Sequence, residues 1–186
     1  YPWNGAITLH VDECKSEAID INLRIPEWAE GATLLVNGQD AGVTVTPGTF
    51  AVIERQWQQG DTVSLDLPMD VNFIEGHPRI EEVRNQVAIK RGPIVYCVES
   101  PDLPEGTSTL DVYIQGDSEL EVTHRPELLG GISTIAGNIL LRPDTKQGMY
   151  RTVKKPEWNS YKADFVPYYA WSNRGTAEMT VFMPIV

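Results

Sequence analysis

Cysteine, histidine and positive charge are scarce in this 186-residue sequence, and the shortages exclude several classes of protein. Two cysteines are too few for the disulfide framework of a small secreted domain. Fifteen Lys and Arg residues stand against 26 Asp and Glu residues, so the chain would repel a nucleic-acid backbone. We therefore expect no nucleic-acid partner, and we expect Cys14 and Cys97 to be buried thiols that are not bonded to each other.

Long apolar runs are also absent, since no stretch approaches the ~20 residues that span a bilayer. We therefore expect no membrane span. The chain begins at Tyr1 in mid-pattern and without a methionine, which predicts a piece of a longer protein whose compartment cannot be read here. A hydrophobic content of 41% nevertheless predicts a folded core rather than a disordered chain.

Alternation of apolar and polar residues is the dominant pattern. It occurs in residues 7–11, 19–25 and 63–67, and it predicts strands with one buried and one exposed face. Turn signals separate these strands at Asn37-Gly38, Pro47-Gly48 and Gln59-Gly60-Asp61. No helical period is sustained, so the fold class is predicted to be all-β, built from antiparallel sandwiches.

The pattern changes after Pro68-Met69. Residues 87–89 and 94–98 are continuous apolar runs, which indicate strands covered on both faces and therefore a second core. We predict two packed, jelly-roll-like antiparallel β-sandwich domains, residues 1–71 and residues 72–186.

Three further segments carry specific expectations. Residues 99–109 are rich in acids and proline and are predicted to be a surface loop. Residues 143–160 form a second polar stretch, with Tyr150, Val153 and Trp158 as its anchors. Residues 165–185 are expected to complete the second core, with Tyr168 and Trp171 buried and Asn173-Arg174-Gly175 as a turn.

No set of residues is assigned to catalysis or to metal binding. The carboxylate candidates for glycoside hydrolysis are Asp12-Glu13, Glu81-Glu82 and the series Asp117, Glu119 and Glu121. Adjacent residues on a strand point to opposite faces and the series lies beside a turn, so all are interpreted as surface charge. His77 and His124 lack a G-x-S-x-G partner motif, and His10 with Cys14 is too small a set for zinc.

The aromatic cluster Tyr168, Tyr169 and Trp171 leaves two interpretations open. Aromatic residues near strand ends commonly close a core, and we predict this role for Trp28 and Trp57. The alternative is a platform on which sugars stack, which would make the region a carbohydrate-binding module.

Several motifs occur in order along nearly the whole chain: YPWNG at 1–5, LRIPEWA at 23–29, VNG at 36–38, IERQW at 53–57, GDTV at 60–63, LPM at 67–69, VAIKRGPIVYC at 87–97 and PYYAWSNRG at 167–175. Together they resemble the C-terminal part of the bacterial β-L-arabinofuranosidases, glycoside hydrolase family 127 and its relatives. In that family a large N-terminal (α/α)6 barrel carries catalysis and two β-sandwich domains follow it.

The resemblance implies a non-catalytic accessory region that braces the absent barrel, shapes the approach of substrate or mediates homodimer formation. It also implies that the first sandwich lacks its opening strands. The parent protein would be a retaining exo-hydrolase of terminal β-linked L-arabinofuranose, acting on arabinose-containing glycans. Its zinc-bound cysteine nucleophile and its glutamates would belong to the barrel, so no catalytic residue and no cofactor is carried over to this chain. A protein-interaction module is the remaining alternative.

Overall fold

The computed structural model describes residues 1–14, 16–143, 149–150, 152 and 155–186. The fold is all-β, as predicted, and its strands pair antiparallel in all the described sheets. The chain divides into two compact units, Tyr1–Asp70 and Val71–Val186.

The described residues of unit 1 form six strands in two sheets. The strands are β1 (Ala6–His10), β2 (Ile19–Arg24), β3 (Thr33–Val36), β4 (Gln39–Asp40), β5 (Phe50–Arg55) and β6 (Thr62–Asp66). One sheet has the order β1-β6-β3-β4, and the other pairs β2 with β5. The alternating segments of the sequence therefore became strands, as expected.

The core of unit 1 follows the predicted alternation on its central strands. Val63 and Leu65 of β6 are buried, while their neighbours Thr62 and Ser64 are not. Trp57 is buried in this core and its indole N–H donates to the carbonyl of Ile19 at 2.8 Å, so it has the predicted core-closing role. Trp28 is partly buried and packs against the same core. Alternation overestimates burial at the edges, because the edge residues Leu9 and Ile19 remain exposed.

The predicted turns of unit 1 are confirmed. Asn37 and Gly38 both have positive φ (52° and 77°) and join β3 to β4, as a tight hairpin requires. Gly48 and Gly60 have φ values of 82° and 92° in turns closed by Thr49 N–H to Thr46 and by Asp61 N–H to Gln58. Glycine is favoured at these two positions because a side chain would strain the backbone.

The described residues of unit 2 form nine strands: β7 (Val71–Glu75), β8 (Gln86–Arg91), β9 (Ile94–Glu99), β10 (Val112–Ile114), β11 (Leu120–Arg125), β12 (Ile132–Leu141), β13 (Asn159–Pro167), β14 (Met179–Thr180) and β15 (Met183–Pro184). The main order is β10-β12-β13-β9-β8-β15, with β11 on β12, β14 on β9 and β7 on β8. Short 3-10 helices at Glu81–Val83, Ser100–Asp102, Thr109–Asp111 and Tyr168–Ala170 connect the strands.

Strands β8 and β9 pair only beside their connecting turn, at Lys90 with Val95 and at Arg91 with Ile94. Farther from the turn, β15 pairs with β8 and β14 pairs with β9. Strands β14 and β15, near the end of the chain, thus pair with the parts of β9 and β8 that do not pair with each other. The prediction that residues 165–185 return to the second core is confirmed at Phe165 and Met183, which are fully buried.

The two predicted loops differ from expectation. Residues 99–109 are not simply a surface loop, because Glu99 ends β9 with no exposed surface and Leu103 and Thr109 are also buried. The acidic composition misled the prediction, since Glu99 has buried hydrogen-bonding partners. In the second stretch Tyr150 is 93% exposed and is no anchor. Val153 lies outside the described residues, and Trp158 packs against Tyr113 with ring centroids 4.7 Å apart.

Gly5 is buried at the start of β1, and a Cβ added there would lie 1.7 Å from the carbonyl oxygen of Leu67. We expect Gly5→Ala to destabilise unit 1 by about 1 to 3 kcal/mol or more, because rigid backbone must move. Gly116→Ala is the control, since its Cβ meets only the flexible end of Ile185 at 3.2 Å. Urea denaturation followed by circular dichroism measures both, and equal stabilities would contradict the prediction.

Candidate functional site

The aromatic turn, residues 168–171, directly follows β13 and begins with the 3-10 helix Tyr168–Ala170. Tyr168, Tyr169 and Trp171 are 45%, 62% and 38% exposed, whereas Ala170 is buried. The expectation that Tyr168 and Trp171 belong to the core is therefore wrong. A single tight turn directs the small residue inward and leaves the three large rings partly in solvent.

Behind this turn lies a buried ion-pair network, which we call the clamp: Glu99, Asp102 and Arg174. The guanidinium of Arg174 donates to Glu99 through Nε at 3.1 Å and again through Nη2. It donates to Asp102 through Nη1 at 2.8 Å and through Nη2. Glu99 is fully buried and Arg174 is largely so, which places these charges where water screens them little.

The clamp fixes the backbone beside the aromatic turn. The backbone N–H of Ser172 donates to Glu99 Oε1 at 2.7 Å, and Ser172 has a φ of 62°. The side-chain amide of Asn173 donates to the carbonyls of Ala170 at 3.1 Å and Trp171 at 3.3 Å. Residues 172–174 are thus held by charge-assisted and amide hydrogen bonds, and the rings are presented on a fixed backbone.

Electrostatics around the clamp follow from burial and from its charges. Hydrogen bonds to Asp102 and Glu99 raise the pKa of Arg174 above its ordinary value, so it is always charged. Burial, followed by the neighbouring charge of Glu99, raises the pKa of the Cys97 thiol to about 12. Burial likewise raises the pKa of Tyr96 to about 12. Both groups therefore remain protonated near neutral pH.

An open depression of about 540 Å³ lies beside the aromatic turn, with Tyr168 in its wall. Its other lining residues come from β8, β9 and the C-terminal segment: Gln86, Val95, Met179, Thr180, Val181 and Phe182. The lining is mainly apolar, with an amide and hydroxyl groups at intervals. Such a surface suits a partner that offers both apolar and hydrogen-bonding faces.

The remaining sequence candidates are not members of the clamp or of the aromatic turn. The carboxylates proposed from the sequence are all exposed: Asp12, Glu13, Glu81, Glu82, Asp117, Glu119 and Glu121. His77 is an exposed turn residue, and His124 lies 3.2 Å from the hydroxyl of Ser133 across the β11–β12 pair. Cys14 is exposed, so the expectation of a buried thiol was wrong there, whereas Cys97 is buried as expected.

Among the residues that the structure describes, no group of three or more His, Cys, Asp or Glu side chains is arranged to hold an ion. The clamp carboxylates are already occupied by Arg174. The side chains of this chain therefore do not fit a zinc site, within the described ranges.

Sequence reasoning missed the clamp, although one signal was available. The run Ile94–Val98 predicted a strand covered on both faces, and Glu99 continues that strand without interruption. A charged residue at the end of a doubly covered strand needs a buried partner. Nothing in the sequence indicated that Arg174, 75 positions away, is that partner.

We expect Arg174→Met to destabilise unit 2 by about 3 to 5 kcal/mol, because it leaves the Glu99 carboxylate buried without a partner. Lys162→Met is the control, since it breaks an exposed ion pair with Glu121 and should cost at most about 1 kcal/mol. Urea denaturation measures both variants. A similar loss in the two would show that the clamp contributes no more than a surface pair.

We expect a thiol-alkylating reagent to modify the native chain at Cys14 but not at Cys97. Cys14 is exposed, whereas Cys97 is fully buried and its pKa is raised to about 12. Peptide mass spectrometry after alkylation, with and without urea, locates the label, and Cys14→Ser should abolish native labelling. Native labelling at Cys97 would contradict the buried position of β9.

Comparison with known proteins identifies relatives for both units. The model "Beta-L-arabinofuranosidase, GH127 middle domain" matches residues 1–69, and "Glycoside hydrolase family 127 C-terminal domain" matches residues 71–184. A curated non-reducing end β-L-arabinofuranosidase from Bifidobacterium longum subsp. longum is 31% identical over 98% of this chain and 29% of its own length.

Solved structures agree with these matches. A glycoside hydrolase is 37% identical with a TM-score of 0.93, and this chain covers 31% of it. A GH127 β-L-arabinofuranosidase from Geobacillus stearothermophilus T6 is 35% identical with a TM-score of 0.90 and is covered to 29%. Both similarities extend over all of this chain, which spans about three tenths of the length of its relatives. With matching domains, sequence and fold in order from residue 1 to residue 184, this chain belongs to glycoside hydrolase family 127, as its middle and C-terminal domains.

Proposed function

We propose that this chain is the non-catalytic accessory region of a β-L-arabinofuranosidase-like enzyme, where it packs against and braces a catalytic barrel in the same polypeptide. The observation that carries the proposal is the length of this chain compared with the length of its relatives. The whole chain matches its relatives, yet it spans only 29 to 31% of them. The remaining seven tenths of such a relative has room for a separate catalytic domain.

The chemistry of the described residues supports this role. Among them the buried acidic residues Glu99 and Asp61 accept hydrogen bonds from structural groups rather than facing an open site. The histidines and the other candidate carboxylates are surface or cross-strand residues. We infer that the catalytic groups, and any zinc that the parent enzyme uses, belong to the part of the polypeptide outside this chain.

Exposed apolar groups supply contact surface for bracing. In unit 1, Phe50 and Val52 of β5 are 59% and 43% exposed. In unit 2, the aromatic turn exposes three rings on a backbone that the clamp holds. Aromatic residues are enriched at interfaces, and contacts between domains commonly bury about 600 to 1,500 Å². We propose that the aromatic turn is part of the surface that contacts the barrel; contact between two copies of the chain is an outcome that the experiments below detect.

A second function is favoured by one observation, the exposure of Tyr168, Tyr169 and Trp171. Fixed, half-exposed rings beside hydroxyl and amide groups suit the stacking of a sugar ring. In this alternative the aromatic turn binds arabinose-containing glycans and the region acts as a carbohydrate-binding module. A protein-interaction module has no observation of its own in its favour.

The isolated chain should hydrolyse no aryl β-L-arabinofuranoside, with or without added zinc, because its described carboxylates and cysteines form no catalytic arrangement. The complete gene product should hydrolyse the same substrate. Release of the chromogenic aryl alcohol measures both. Turnover by the isolated chain that is lost on replacing Cys14 or Cys97 would overturn the accessory role.

The two roles of the aromatic turn are separated by Tyr169→Ala and Trp171→Ala in the complete gene product. Bracing predicts a lower melting temperature, whereas sugar binding predicts a raised KM for oligosaccharides that end in β-linked L-arabinofuranose, with an unchanged melting temperature. Tyr150→Ala is the control, since the Tyr150 ring is more exposed than those of Tyr169 and Trp171 and belongs to neither the aromatic turn nor the clamp. Light scattering detects any loss of a dimer, and variants indistinguishable from Tyr150→Ala would exclude both roles.

A further inference from the structure

The Asn37-Gly38 turn carries reactive chemistry as well as a hairpin. An asparagine followed by glycine is prone to deamidation, because glycine has no Cβ to hinder attack by its backbone nitrogen on the asparagine side chain. Both residues are exposed at the tip between β3 and β4. Water therefore has access to the turn.

The side chain of Asn37 is held at both of its polar atoms. Its Nδ2 donates to Asp61 Oδ1 at 2.7 Å, and its Oδ1 accepts from the backbone N–H of Thr62 at 2.8 Å. The backbone N–H of Asn37 donates to the carbonyl of Thr62 at 2.9 Å. Attack by Gly38 requires the Asn37 carboxamide to turn toward the glycine nitrogen, and this movement breaks the side-chain bonds.

Asp61 is itself fixed, so it is a firm acceptor. It is only 8% exposed, and its Oδ2 accepts from the backbone N–H of Gln58 at 2.8 Å. Arg55 lies 3.8 Å from the same oxygen. The hydrogen bonds from Gln58 and Asn37 hold the pKa of Asp61 below its ordinary value, so the carboxylate is ionised at neutral pH.

We propose that Asn37 is a latent deamidation site, gated by opening of its hydrogen bond to Asp61, and that deamidation then breaks this connection permanently. A bond forms between the Gly38 nitrogen and Asn37 Cγ, and the Cγ–Nδ2 bond breaks. The proton from the Gly38 nitrogen leaves with Nδ2 as ammonia. Water then opens the succinimide to aspartate or isoaspartate, and no oxidation or reduction occurs.

Deamidation of Asn37 replaces an attraction to Asp61 with a repulsion. Before the reaction an N–H group donates to the Asp61 carboxylate; afterwards a second carboxylate faces it, or the isoaspartate backbone displaces the group altogether. Like charges at hydrogen-bonding distance repel, and the donor has been lost. The connection between the β3–β4 hairpin and the turn at residues 58–61 is therefore weakened irreversibly.

The gate is tested by incubating the purified chain at mildly alkaline pH and measuring, by peptide mass spectrometry, the fraction of Asn37 converted. Asp61→Ala should accelerate conversion about tenfold or more, as expected when one charge-assisted bond no longer has to open. Asp40→Ala is the control, because Asp40 lies on the same hairpin and its Oδ1 accepts from the backbone N–H of Gly42. Equal rates in Asp61→Ala and the wild type would overturn the proposal.

A second comparison avoids dependence on the folding of Asp61→Ala. The wild-type chain should deamidate Asn37 more slowly when folded than when unfolded in urea, and equal rates would also overturn the proposal.

The effect of deamidation on stability is tested with N37D. This variant should lower the melting temperature of unit 1 more than N4D, which makes an equal charge change at an exposed position. Equal melting temperatures would show that deamidation leaves the hairpin connection intact.

Discussion

The buried pair of Glu99 and Arg174 is the interaction on which the organisation of unit 2 depends. Glu99 has no exposed surface, so its charge is tolerable only because a guanidinium and a backbone N–H supply hydrogen bonds. Arg174 also holds Asp102, so one cation partly neutralises two carboxylates, one at the end of β9 and one in the 3-10 helix that follows it. A residue from late in the chain is thereby tied to the end of a central strand.

The same region is closed by a second set of polar contacts. The Glu178 carbonyl accepts from the backbone N–H of Ser100 at 2.9 Å, and its carboxylate accepts from the hydroxyl of Ser108 at 3.2 Å. These bonds lead directly into β14, which pairs with β9 at Glu99. Polar contacts therefore set the path of the chain between the aromatic turn and the last strands, while Phe165 and Met183 supply the apolar burial on either side.

Local rules predicted much of the fold and little of the site. The fold class, the Asn37-Gly38 hairpin and the doubly covered strand β9 follow from period, turn chemistry and continuous apolar runs. The clamp does not follow, because pairing between Glu99 and Arg174 is a tertiary contact without a local pattern. The exposure of Tyr168 and Trp171 was mispredicted for the same reason, since a ring at a strand end faces the core or solvent according to the turn that carries it.

The late pairing of β14 and β15 has a consequence for biosynthesis. Strand β9 leaves the ribosome early in unit 2, but its partner at Val98 and Glu99 is the segment Met179–Thr180. Until that segment emerges, the pairing positions and the Glu99 carboxylate have neither strand nor arginine to cover them. Contacts between distant parts of a chain form slowly, and unpaired strands invite association with other chains. Unit 2 therefore leaves these positions of β9 unpaired until nearly the end of its synthesis, whereas the six described strands of unit 1 all precede unit 2 in the chain.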